Sequence, residues 1–193
     1  MSVYVPSDVR IEQMTVSHIS AVMAIDEQGY GDPWSATTWH KEVRDPDRLH
    51  LVAITGVEPR SGNGEDHGAD GNGAGGPKGE RVVGHAGLLY LAGMAHVSNV
   101  AVDPEHQHQG IATRLLIELL DRARAHGSTA ATLEARAANK RAHRLYSRLG
   151  FQPLGITPDY YTKPAEDALV MSIRHLDEPE VAERIDRVRA ALQ

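Results

Sequence analysis

The stretch "VDPEHQHQGIATRLL", Val102 to Leu116, leaves an apolar run through Asp-Pro and crosses a short polar segment to Gly110. Apolar residues then recur with helical spacing, so the order is strand, polar loop, helix start. The first N–H groups of a helix lack intrahelical partners, and the peptide dipoles sum to a positive end there. A phosphate or pyrophosphate is the natural guest of such a place. Gly110 lets the backbone approach that guest, and small Ala112 leaves the entrance open. No Gly-Lys-Ser/Thr follows, so this is not a P-loop, and the third glycine and downstream acid of the dinucleotide fingerprint are missing. Taken alone, the pattern also fits an ordinary strand–helix turn.

Outward from this point the chain alternates between strand and helix signals. Upstream, "VRIEQM" (Val9–Met14), "HLVAIT" (His50–Thr55), "RVVGHAGLLYLAG" (Arg81–Gly93) and "AHVSNVAV" (Ala95–Val102) read as strands. Between the first two lie a helix carrying Val16, Ile19, Val22, Met23 and Ile25, with Thr15 or Ser17 as cap, and a short one around Trp39 and Val43 capped by Ser35. Downstream, Ile111–His126 reads as a helix burying Leu115, Leu116, Leu119, Leu120 and Ala123, stopped by Gly127. "TAATLEA" (Thr129–Ala135) follows as a strand. A helix capped by Asn139 then carries Ala142, Leu145, Tyr146 and Leu149 and ends at Gly150, and "ALVMSI" (Ala168–Ile173) is the last strand.

Two segments stand apart from this body. Residues 56–79 hold nine of the 18 glycines and almost nothing apolar, so the insertion spanning 56–80 is expected to be disordered: a tolerated insertion in a hairpin, or a partner-binding loop. After the body of residues 1–176, residues 177–193 form an amphipathic helix with Val181, Ile185, Val188 and Leu192 on one face and pairs Glu180–Arg184 and Glu183–Arg187 at i,i+4. Its apolar face is expected to dock on its own chain, with another subunit as the alternative.

Composition bounds the rest. The 193 residues suffice for one domain with a proper core. Twenty basic against 26 acidic residues give a net charge of −6, which argues against direct nucleic-acid binding while leaving room for a local basic face. There is no cysteine, hence no disulfide, thiolate metal site or cysteine nucleophile. His106 and His108 sit two apart, but no acid cluster at ligand spacing supports them, so no metal is expected. The start lacks the basic and apolar regions of a secretory signal, and no apolar run approaches the ~20 residues of a membrane span. The expectation is a soluble, cytoplasmic protein without membrane contact. Nothing in the sequence sets its oligomeric state.

Three further stretches give the motif a context. "VAVDP" (Val100–Pro104) followed by "QHQGIA" (Gln107–Ala112) resembles the pyrophosphate loop of the GNAT family of N-acetyltransferases, Gln/Arg-x-x-Gly-x-Gly/Ala after a V-x-V strand. "TLEARAANKRAHRLYSRLGF" (Thr132–Phe151), "DPWS" (Asp32–Ser35) and "DYYTKPAEDALVM" (Asp159–Met171) are similar to segments of its RimI-type subgroup, which acetylates ribosomal-protein N-termini. The likeness covers roughly residues 8–175 outside the glycine-rich insertion. It implies an α/β fold with a mixed, mostly antiparallel sheet, flanking helices, and two central parallel strands, Ala95–Val102 and Thr129–Ala135, that splay apart around acetyl-CoA. Val100, Ala101 and Val102 would line the pantetheine arm; His108, Gln109, Gly110, Ile111, Ala112 and Thr113 would wrap the pyrophosphate; Asn139 would touch the cofactor as well as cap its helix. Ala112 stands where many members have Gly, and Thr113 where the subgroup often has Arg, at the cost of one phosphate contact. Ala135 and Ala138 replace the usual Val and Ser near the thioester.

The chemistry then needs a neutral amine, a stabilised oxyanion and a proton for the leaving thiolate. The resemblance gives Glu134 the role of general base and Tyr146 that of general acid. Read without it, Glu134 is a solvated strand-end carboxylate and Tyr146 a core residue on its helix's apolar stripe. It likewise implies Trp34, Tyr160 and Tyr161 as substrate contacts, and a protein N-terminus, an Ala-first ribosomal protein, as acceptor. Asp32, Asp159, Glu166 and Asp167 offer negative charge to draw a protonated amine. The basic run Arg136, Lys140, Arg141, Arg144 and Arg148 is either a solvated face or charge for phosphates or a ribosomal partner. A small-molecule amine, a lysine side chain, or a non-catalytic acyl-CoA sensor are the alternatives.

Overall fold

Along Arg48–Gly56 (β2), Leu49, Leu51 and Ala53 join one core while Val52 and Ile54 join another, on opposite faces of the sheet. That alternation is the period of a strand buried on both sides. It follows that helices cover both faces. The computed structural model describes residues 9–29, 31–56 and 79–192. Seven strands, Arg10–Gln13 (β1), β2, Glu80–Leu91 (β3), Met94–Val102 (β4), Ala130–Arg136 (β5), Gln152–Thr162 (β6) and Ala165–Arg174 (β7), form one sheet in the order β1-β2-β3-β4-β5-β7-β6. Every pair is antiparallel except β4 with β5.

The larger core lies under Ile111–Ala125 (α3), whose Leu115, Leu116, Leu119, Leu120 and Ala123 are fully buried against β2, β3 and β4. Lys140–Leu149 (α4) adds Leu149, and Pro179–Ala190 (α5) together with the residues after it adds Ile185, Val188 and Leu192. The C-terminal helix therefore docks on its own chain. Arg189 pairs with Asp121 of α3, and Glu183 with Arg187 at 3.8 Å, whereas Arg184 lies over Gly150 and no Glu180–Arg184 ion pair forms among the described residues. The opposite face carries Ile19–Gly29 (α1), entered through the turn Val16–His18, and Ala36–Glu42 (α2). Ile19, Val22 and Trp39 bury there with Met14, Val52 and Ile54, whereas Val16 remains exposed.

Local signals act as expected at several ends. The Ser35 hydroxyl accepts from Thr38 N–H at 3.2 Å, Asn139 caps α4 by accepting from Ala142 N–H at 3.0 Å, and Gly127 and Gly150 close α3 and α4 with φ of 90° and 109°. The glycine-rich insertion lies outside the described residues. Its flanks Gly56 and Glu80 are register partners, so it joins adjacent antiparallel strands as a hairpin insertion does. One strand departs from the sequence reading, which assigned nothing to 152–162. β6 holds Pro153, Gly155 and Pro158, is exposed at nearly every position and sits at the sheet edge, so it has no apolar alternation to read.

Polar groups are buried under α1 and α2. Asp26 accepts from Trp39 Nε1 at 3.2 Å and meets His85 Nε2 at 2.8 Å, while His50 Nε2 lies 3.2 Å from Glu42. Burial first, then His85 and Arg48, push the His50 imidazole down to about 4. In the unfolded chain a histidine takes up its proton near ~6.5. Between those values the unfolded state binds the extra proton, so stability is lost as pH falls through this window, by up to on the order of 3 kcal/mol. Denaturant unfolding at pH 7 and pH 5 should show that loss, with a shallower pH dependence in His50→Gln. Equal slopes for the two proteins would remove His50 as the cause.

Candidate active site

The parallel ladder between β4 and β5 is short: Met94–Val97 pair with Ala130–Leu133, and no pair between these strands follows. At the same level the β3–β4 register slips, Leu88 facing Val97 but Gly87 facing Asn99, which makes Ser98 an extra residue. Such a bulge bends and twists the strand that carries it. β4 is thereby turned from β5, and a cleft opens between Asn99–Val102 and Glu134–Arg136.

The alternation of β5 decides what faces the cleft. Ala131, Leu133 and Ala135 are buried in the main core, so Thr132, Glu134 and Arg136 project from the other face. Glu134 is partly buried, and its Oε2 lies 3.3 Å from Nε2 of His96. Nδ1 of His96 is 3.0 Å from the Thr132 hydroxyl. The Tyr161 hydroxyl donates to the Glu134 carbonyl at 3.5 Å, and its ring meets Tyr160 edge-on and lies under Arg136, whose Cζ is 4.2 Å from the ring centre. Tyr146 on α4 is half-buried, edge-on to Phe151. Burial, reinforced by the Tyr161 phenol, pushes its hydroxyl up to about 12, so it keeps its proton throughout the working range.

The start of α3 lies at the end of β4. Gly110 takes the N-cap position in the left-handed region, φ 77°, and no side chain caps the helix. His108 is also left-handed, φ 67°. Curled backbone of this kind gathers N–H groups into an anion-binding concavity. Ile111 and Thr113 turn buried side chains into the body, so backbone is what they offer a ligand; Gln109 and Ala112 are partly exposed beside them. Arg141 of α4 donates to His108 Nε2 at 3.0 Å, which places a guanidinium at the mouth of this loop. Asn139 is exposed on the same side. Val100, Ala101 and Val102 line β4 beyond the point of parting and are partly buried.

Contacts tie the β6–β7 hairpin to the end of β5, while Trp34 packs on the smaller core. Arg136 donates to the carbonyls of Lys163 and Pro164 and pairs with Glu166 at 3.1 Å, tying the β6–β7 turn to the end of β5. Glu166 also accepts from Ala138 N–H at 2.7 Å; this bond, with Arg136, holds its carboxyl below the usual range. Glu166 thus fastens the turn, and Asp167 accepts from Asp159 N–H, so these two are engaged within the hairpin. Lys163 reaches Asp32 at 3.5 Å across the cleft. Trp34, half-buried, packs 5.0 Å from Trp39 and edge-on to His50, and Tyr160 is 49% exposed. Outside this site, Asp103, Glu105 and His106 bring ligand-type atoms within 4.8 Å of one another, the single such group among the described residues. Arg81 already pairs with both carboxylates.

Sequence reasoning missed His96, Thr132 and the Arg136–Glu166 tie. The signal exists only in the register: His96 faces Thr132 across a parallel ladder, two residues before Glu134.

A profile of the Acetyltransferase (GNAT) family matches residues 27–151. The chain belongs to this family. The N-alpha-acetyltransferase RimI of Mycobacterium tuberculosis is 32% identical over 144 residues, 72% of this chain and 75% of that enzyme. The [ribosomal protein bS18]-alanine N-acetyltransferase of Escherichia coli is 41% identical over 81 residues, 41% of this chain and 55% of that enzyme. The crystal structure of the Escherichia coli ribosomal-protein-S18-alanine N-acetyltransferase superposes with a TM-score of 0.67 at 26% identity, covering 86% of this chain and 94% of that one. The GNAT fold accounts for the seven-stranded mixed sheet and its parting parallel pair.

Two outcomes follow from this geometry. Gly110→Val places a branched side chain where φ is 77° and the backbone must come close, so calorimetry should show acetyl-CoA affinity down at least tenfold, ~1.4 kcal/mol. Unchanged affinity in the folded variant would take the loop out of the site. A Cβ on Gly31 would clash with the Lys163 carbonyl oxygen, so Gly31→Ala must force the two loops apart. Peptide KM should rise several-fold while acetyl-CoA affinity is kept; an unaltered KM would show that the loop contact does not shape peptide binding.

Proposed function

We propose that this GNAT protein transfers the acetyl group of acetyl-CoA to the free α-amine of a protein N-terminus, an Ala-first ribosomal protein being the preferred acceptor, in the cytoplasm. The observation that carries this reading is the contact of Asp32 with Lys163, in the turn that Arg136 ties to the strand of Glu134, which favours an end-on approach of the acceptor. A chain end suits such an approach. The RimI-named relatives support the acceptor class.

The pyrophosphate rests on the uncapped start of α3, at His108–Thr113, with Arg141 and Asn139 beside it, and the pantetheine arm runs along Val100–Val102 towards Glu134. Trp34, Tyr160 and Tyr161 flank the incoming peptide. Glu134, directly or through water, takes the amine proton as nitrogen attacks the thioester carbonyl. The tetrahedral intermediate then collapses, breaking the C–S bond and releasing thiolate. Tyr146 faces that sulfur as donor. With its hydroxyl pushed up to about 12, complete transfer to a thiolate of pKa ~8.5 is steeply uphill. Its contribution is therefore a hydrogen bond to the developing charge. No metal enters this scheme.

Deprotonation favours N-termini. An α-amine at ~7.7–8.0 is about 3 kcal/mol easier to neutralise than a lysine at ~10.4. Two peptides of one sequence test the acceptor, one with free N-terminal Ala, one N-terminally blocked and carrying lysine. The free peptide should be acetylated faster by mass spectrometry; the reverse order would establish the lysine reading. Acetyl-CoA binding without turnover of either peptide would favour the sensor.

A further inference from the structure

Three histidine–carboxylate contacts pair strand histidines with acids in this sheet. His85–Asp26 and His50–Glu42 tie the sheet to α1 and α2, away from the cleft. The third, His96–Glu134, lies where β4 and β5 part, and nothing in the transfer described above uses it. We infer that His96 is a positioning residue for the catalytic base: Nε2 holds one oxygen of Glu134, while Thr132 fixes the ring through Nδ1. The inference rests on the reading of Glu134 as base.

The chemistry of the contacts is directional. A carboxylate only accepts, so at 3.3 Å from Glu134 Oε2 the hydrogen belongs on Nε2. In the neutral ring Nδ1 then accepts, and the Thr132 hydroxyl, 3.0 Å away, is the donor. Both atoms of the imidazole are thereby assigned, and the ring cannot turn without losing one of them. Glu134 Oε2 is occupied, which leaves Oε1 for the amine or its water. When the amine proton arrives on Oε1, Nε2–H still donates to Oε2, so the contact survives the step with no second proton moved.

Placement supports the same role. His96, Thr132 and Glu134 project from one face, opposite the buried Ala95, Val97, Ala131 and Leu133. The backbone ladder already joins the strands at Met94–Val97, so a side-chain tie here adds little to strand pairing. It acts instead on the next residue that matters, the carboxylate just past the last rung. His96 is 31% exposed and Glu134 20%, open enough to meet substrate and closed enough that the contact is not swamped by water. From β6, Tyr160 and Tyr161 stand near the same carboxylate, whose charge raises both phenols after burial does. From β3 the residue opposite His96 is Leu89.

Steady-state acetylation of the free-Ala peptide by the full chain tests this, with circular dichroism and acetyl-CoA calorimetry as controls. His96→Ala should lower kcat about tenfold or more, the scale of a misplaced catalytic group, with peptide KM and acetyl-CoA affinity within about twofold of the parent. His96→Gln, whose amide N–H can reach the same oxygen, should recover most of the rate. Thr132→Val should lose less than His96→Ala and add nothing to it in the double variant. Undiminished kcat in folded His96→Ala, or equal loss in His96→Gln, overturns the role. Should His96→Ala not fold, Thr132→Val with full kcat overturns it instead. Glu134→Gln in the same assay separates the two claims: its loss of rate sustains the base whatever His96 does, and its full activity would sink the base reading itself.

Discussion

Four rungs of parallel ladder, from Met94–Ala130 to Val97–Leu133, govern the rest of the molecule. They hold β4 against β5 long enough to build a continuous sheet and then stop. The extra residue Ser98 supplies the cause, since a bulge between β3 and β4 twists β4 away at that level. One further paired rung would bring Glu134 level with Ser98 and close the space between the two strands. A ladder that ended earlier would leave His96 and Thr132 without their contact. The cleft is thus a consequence of register, and α3 starts at its end because β4 terminates there.

The opposite wall is held by charge. Arg136, two residues past Glu134 and on the same face, takes the carbonyls of Lys163 and Pro164, the carboxylate of Glu166 and the ring of Tyr161. A guanidinium fills that role because it offers several planar donors at once. The β6–β7 turn is therefore anchored to the strand that carries Glu134. Asp32 and Lys163, 131 positions apart in sequence, then meet above it. Substrate access and catalytic placement share one anchor.

Much of this was legible in the sequence because it was local. Ser35 and Asn139 cap the helices they precede, Gly127 and Gly150 end theirs, and the apolar run within His50–Thr55 marks a strand. The loop at Gly110 was readable from glycine and helix spacing, and Glu134 and Tyr146 only through resemblance, since an isolated Glu or Tyr carries no spacing signal. β6 was not legible: an exposed edge strand with two prolines offers neither alternation nor a buried face. His96 was not legible either, because its partner is set by the register of strands joined through α3. Gly31 looks like any loop glycine until Lys163 arrives beside it.

The carboxylates near the parting strands differ in how far each is already engaged. Glu166 is spent on Arg136 and the Ala138 N–H, which hold it ionised and fixed. Asp167 receives Asp159 N–H, and Asp32 faces Lys163. Asp26 is sealed beneath α1 between Trp39 and His85, far from any amine. Glu134 differs in kind: it is partly open, and its contact with the His96 imidazole engages one oxygen and leaves the other. A cationic partner such as arginine in that place would stabilise the carboxylate and weaken it as a base. The sheet sets Arg136 two residues away, on the tie to the turn, and His96 beside Glu134.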